Sequence, residues 1–147
     1  MSRLHMVSGN SIEDLLGAAP GAVEADSAMR RLLVDKLTPR LFSLIGVVVA
    51  GRLRCANFVE ALRGPLNQNF AEQAAADWRS LDLTAAERAI LEYAEKGTID
   101  EAAVRSRDVD GLRATGVGDK EVLLIATAVA YHNYAIRMAA AFGVLPR

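Results

Sequence analysis

Two segments of this chain, residues 41–49 and 122–142, hold so few polar side chains that helices built from them have no evident solvent face. The first, LFSLIGVVV, carries no charge, and the second carries only Arg137. A helix that is apolar almost all round belongs in an interior or an interface, so whatever else the chain forms must wrap these two. The longest apolar run in the first half, residues 44–51, falls far short of the roughly 20 residues of a membrane span. A chain of 147 residues suits one domain, and its small interior has limited room for two such helices, which points to an oligomer.

The surrounding sequence predicts helices throughout, an all-α fold. Alanine is the commonest residue, with Leu, Arg and Glu in support, and strand-like alternation is nowhere sustained. After a tail over residues 1–10, Ser11 caps a short helix through Leu16 that Gly17 and Pro20 end. A second helix spans residues 21–36, with Val23, Met29, Leu32, Leu33 and Leu37 as its apolar contacts. Residues 1–20 are thus a tail with a short helix, and 21–147 one helical domain. Thr38-Pro39 starts the third helix, a capping hydroxyl followed by proline at the first helical position. Helices follow over residues 55–63 and 66–79. Thr84 and Glu87 form a capping box for a helix that ends at Gly97, and Thr98 with Glu101 repeats the pattern. Ser106 or Asp108 opens a helix that stops at Gly116, and Asp119 caps the last, which runs to Phe142.

Composition narrows the function. A net charge of −1 gives no electrostatic reason to bind nucleic acid or anionic lipid. The single cysteine, Cys55, excludes an intrachain disulfide and makes a cysteine-based zinc site untenable. No metal-ligand spacing, phosphate loop or other cofactor motif stands out. Residues 1–10 have neither a basic start nor an apolar h-region, so the expected location is the cytoplasm.

Residues 77–94, DWRSLDLTAAERAILEYA, resemble the alkylhydroperoxidase AhpD and carboxymuconolactone decarboxylase superfamily, in particular its peroxidase-related branch. The order of later motifs agrees: DVDGLR at 108–113, GVGDKEV at 116–122 and AYHNYAIR at 130–137, with Leu37-Thr38-Pro39-Arg40 upstream. The resemblance runs from about Leu33 to Val144. It implies an all-helical fold assembled as trimers or multiples of trimers. In active members it also implies a glutamate twelve residues before a Cys-x-x-Cys pair and a histidine four residues after it. One thiolate attacks peroxide, the other thiol resolves the sulfenic acid, and Glu and His relay protons.

This chain departs from that set: Ser43 stands at the glutamate position, Cys55 at the first cysteine, Phe58 at the second and Leu62 at the histidine. An internal dithiol cycle is therefore chemically impossible. Cys55, Phe58, Val59 and Leu62 share a helical face, the one that lines the active site in the family. Here it is an apolar stripe, which favours a quiet core thiol over a one-cysteine nucleophile.

The other candidates carry two readings each. His132, on a face with Val129, Ile136 and Ala140, is a hydrogen-bonded core or interface residue, or a general base. Tyr131, Asn133, Tyr134 and Arg137 form a polar cluster in an apolar helix. Arg137 is expected to pair with a carboxylate, with anion binding as the alternative. Glu60 and Asn57 lie off the apolar stripe, Glu60 as a surface carboxylate or an acid partner. His5, in the tail, has no specific role. Three functions stand: an AhpD-like binding or scaffold protein without the redox pair; a cofactor-independent lyase or isomerase acting on a hydrophobic or cyclic substrate through His132, Tyr131, Ser43 or Glu60; and a one-cysteine peroxidase built on Cys55.

Overall fold

A computed structural model of the chain describes residues 9–146; His5 lies outside them. Among the described residues the regular structure is helical: α1 (Ile12–Leu16), α2 (Ala22–Leu37), α3 (Pro39–Arg52), α4 (Val59–Leu62), α5 (Gln68–Asp77), α6 (Ala85–Ile99), α7 (Ser106–Arg113) and α8 (Asp119–Phe142), with short 3₁₀ turns over Ala56–Phe58, Trp78–Ser80 and Glu101–Ala103. A single parallel bridge joins Ser11 to Leu145, where Ile12 N–H donates to the Leu145 carbonyl at 2.8 Å.

Helix α3 is the hub. Every residue from Phe42 to Ala50 is buried, and the helix packs against α2, α5, α6 and α8. Its missing polar face is thus explained inside one subunit. Two glycines let neighbours close on it: a Cβ on Gly51 would lie 2.0 Å from the Ala75 carbonyl oxygen of α5, and one on Gly46 would lie 2.6 Å from the His132 ring of α8. The α2–α3 junction is one residue, Thr38, at φ +81°. Its hydroxyl accepts from Leu41 N–H at 3.2 Å, and Pro39 bars it from the helical region.

Helix α8 departs from expectation. It buries Ile125, Ala128, Val129, Tyr131, His132, Ala135, Ile136 and Ala139, but leaves Leu123, Ala130, Tyr134 and Arg137 exposed. Beyond its first turn that outward face carries one charge, Arg137, among Leu123, Tyr134 and alanines, so hydropathy hides it.

Three helix boundaries also differ. Helix α6 runs through Gly97 to Ile99, because Thr98 is buried and turns its hydroxyl back to the Ala94 carbonyl at 2.7 Å instead of capping a new helix. Residues 55–63 form a 3₁₀ turn and one helical turn, with Cys55 just ahead of them. Gly118 rather than Asp119 occupies the cap position before α8, and Asp119, its first residue, accepts from Arg113 Nε at 2.8 Å. The capping boxes at Ser11–Asp14 and Thr84–Glu87 form in full. No helix among the described residues is long and apolar enough to cross a membrane.

Candidate functional site

The end of α3 determines where the cysteine sits. Arg54 takes a left-handed conformation, φ +60°, which turns the chain so that Cys55 N–H reaches the Ala50 carbonyl at 2.8 Å. The thiol then lies 3.5 Å from the Leu53 carbonyl, to which it donates. Cys55 is partly buried against the core on one side. On the other it lines an open cavity of about 470 Å³ with Asn57, Phe58, Asn10, Gly143 and Val144. Burial pushes the thiol above its ordinary pKa, and the positive charge of Arg137 opposes that only in part. A thiol in this state holds little thiolate at neutral pH.

Phe58 and Leu62 are each only 5% exposed and belong to the hydrophobic core. Ser43 is buried in α3, where a Cβ on Gly64 would come within 2.4 Å of its hydroxyl oxygen. Glu60 is exposed and accepts from Arg63 Nε at 3.1 Å, one helical step away.

A second group forms where α2, α3 and α8 meet. The His132 ring is fully enclosed, with Nε2 donating to the Phe42 carbonyl at 2.8 Å and Nδ1 without a hydrogen-bond partner among the described residues. Burial lowers its pKa to about 4, against the pull of the Phe42 carbonyl, so the ring is neutral at pH 7. Tyr131 is buried with its ring 5.8 Å from His132. Its hydroxyl, with that of Tyr134, faces the Asp26 carboxyl. Burial raises Asp26, and the two hydroxyls and Arg30 counter that. Asp26 and Arg30 escape sequence reasoning, because an Asp-x-x-x-Arg pair on a mixed helix reads as an exposed ion pair.

Asn133 belongs to a third place, a cavity of about 590 Å³ between α6 and α8. Its amide donates to Thr98 Oγ1 at 3.1 Å and to the Val129 carbonyl at 2.9 Å, and its oxygen accepts from Arg137 Nε at 3.3 Å. Arg137 has no carboxylate partner among the described residues, contrary to the pairing expected from sequence. The candidates therefore divide: Cys55, Asn57 and Phe58 share one cavity, Tyr131 and His132 a closed cluster, Asn133 another cavity, while Ser43 and Leu62 are in the core and Glu60 is at the surface.

No protein-family model matches the chain, and no curated protein matches it. Solved structures do. A peroxidase-related protein from Ralstonia eutropha JMP134, described as an alkylhydroperoxidase AhpD core, superposes with a TM-score of 0.77 at 25% identity, over 90% of this chain and 74% of that one. A peroxidase-related protein from Silicibacter sp. TM1040 gives 0.76 at 23% identity, over 92% and 75%. The debrominase Bmp8, a cysteine-to-alanine variant in complex with 2,3,4-tribromopyrrole, gives 0.72 at 20% identity, again over 92% and 75%. The chain thus has the fold of the AhpD-like, peroxidase-related proteins.

Proposed function

We propose that this chain is an AhpD-like protein that has kept the fold without the dithiol peroxidase chemistry, and that it works as a binding or scaffold protein, a cytoplasmic homo-oligomer built of trimers. One observation carries the reading. Phe58 and Leu62, standing where the resemblance puts the peroxide-attacking cysteine and the histidine, are core hydrocarbon. The cavity beside Cys55, with Phe58 and Val144 among its walls, suits a small hydrophobic ligand. That a debrominase of the same fold holds a tribrominated pyrrole supports a small ring as occupant.

The lyase reading has less behind it: His132 is enclosed and neutral, Ser43 is buried and Glu60 is exposed, so these three candidates do not converge on one cavity. The decisive experiment is intact-protein mass and thiol titration before and after stoichiometric cumene hydroperoxide, without denaturant. The expected result is an unmodified Cys55 that becomes reactive only on unfolding. Rapid stoichiometric oxidation in the folded state would overturn the reading in favour of one-cysteine peroxidase chemistry.

A further inference from the structure

The α6–α8 cavity is the larger of the two described above, at about 590 Å³, well within the range of small-molecule sites. It is separate from the cavity beside Cys55, with no lining residue in common. Its walls include Val104, Ala126, Val129 and Ala130, and its charged groups are Arg137 and Glu101.

Arg137 is held in a particular way. Thr98 is anchored to the Ala94 carbonyl and accepts from Asn133, which also donates to Val129; the remaining Asn133 oxygen takes Arg137 Nε. The relay secures the base of the guanidinium while its two terminal nitrogens have no partner among the described residues. A guanidinium fixed at Nε and open at its fork matches a carboxylate. The Asn133 amide has both donors and its oxygen engaged within the protein, so its part is to position Arg137. Glu101, a like charge for any anion, disfavours a dianion such as phosphate and leaves a monoanion with an apolar body as the best fit.

We propose that this cavity binds a small amphipathic monocarboxylate, its head group on the Arg137 fork and its hydrocarbon against Ala126, Val129 and Ala130. The site shares no lining residue with the Cys55 cavity and does not require the ligand suggested there, although the Arg137 charge is also felt by the thiol.

The test is titration of the full chain with sodium octanoate, read by calorimetry and by backbone amide NMR, with octanamide as the neutral counterpart. Saturable binding of octanoate in the millimolar range or tighter is expected, shifting the amides of Gly97, Ala126 and Ala130 and sparing Asn57 and Gly143. Octanamide and Arg137→Gln are each expected to weaken binding at least tenfold, and Glu101→Gln to tighten it. Ala126→Phe, which narrows the cavity and keeps the charge, is expected to weaken octanoate too, a second route should Arg137→Gln perturb folding. Equal affinity for octanamide, shifts confined to the Cys55 cavity, or no saturation with octanoate would each overturn the proposal.

Discussion

His132 of α8 donates from Nε2 to the main-chain carbonyl of Phe42 in α3, 90 residues earlier, at 2.8 Å, and the two rings lie 4.4 Å apart. This bond ties the two most apolar helices together, and its donor is a neutral imidazole with no access to solvent. The buried ring N–H needs an acceptor and the site excludes charge, so a neutral histidine in one tautomer, bonded to a free lone pair of the Phe42 carbonyl, meets both demands.

A pH dependence follows. The ordinary imidazole pKa of 6.5 falls to about 4 in the fold, so between these values the unfolded chain binds a proton that the folded chain does not. Stability from this residue is fully present above pH 6.5 and is lost as the pH falls to about 4, a difference of about 3 kcal/mol. Urea unfolding across this interval, compared between wild type and His132→Met, isolates it from the carboxylates. The variant is expected to have the shallower slope; identical slopes would mean that His132 is not buried neutral.

Gly46 provides the notch into which that ring fits. Gly46→Ala brings a Cβ within 2.6 Å of His132 Cε1, an overpacking expected to cost about 1–3 kcal/mol. In a His132→Ala background the same change should turn neutral or stabilising by up to about 1 kcal/mol, since alanine is the better residue inside a helix. A double-mutant cycle in chemical denaturation reads the coupling; additive effects would disprove the contact.

The single tryptophan offers an optical test of a half-buried ion cluster. Trp78 is 3% exposed, and its indole N–H donates to Glu95 at 2.6 Å, with Arg79 on the same carboxylate at 2.8 Å. Burial raises the Glu95 carboxyl, but these donors outweigh it and hold the pKa below the ordinary value. Glu95→Ala leaves the indole donor unmatched and is expected to cost about 1–3 kcal/mol, with a change in Trp78 emission of the folded protein. An unchanged unfolding midpoint would show the bond to contribute nothing net.

Much of the fold is legible in the sequence because it depends on short-range chemistry. Ser11 with Asp14 and Thr84 with Glu87 cap their helices by bonds spanning three residues, and Thr38-Pro39 opens α3 for local steric reasons. Where local and tertiary demands compete, the pattern misleads. Thr98 with Glu101 has the spacing of a cap, yet Thr98 lies against α8, where Asn133 needs its hydroxyl, and the helix continues.

The candidate site divides along the same line. The sequence by itself determined that there is one thiol, with phenylalanine and leucine at the positions of its expected partners, and so that no dithiol cycle can run; that conclusion needs only residue identity. Only the tertiary structure decided that His132 is sealed against Phe42, that Asp26 is drawn under Tyr131 and Tyr134, and that Arg137 hangs open on Asn133 instead of meeting a carboxylate. Those outcomes depend on which helix faces cross at a distance. Burial and partner choice set the pKa of a side chain and its freedom to bind, and both arise from contacts between residues dozens of positions apart.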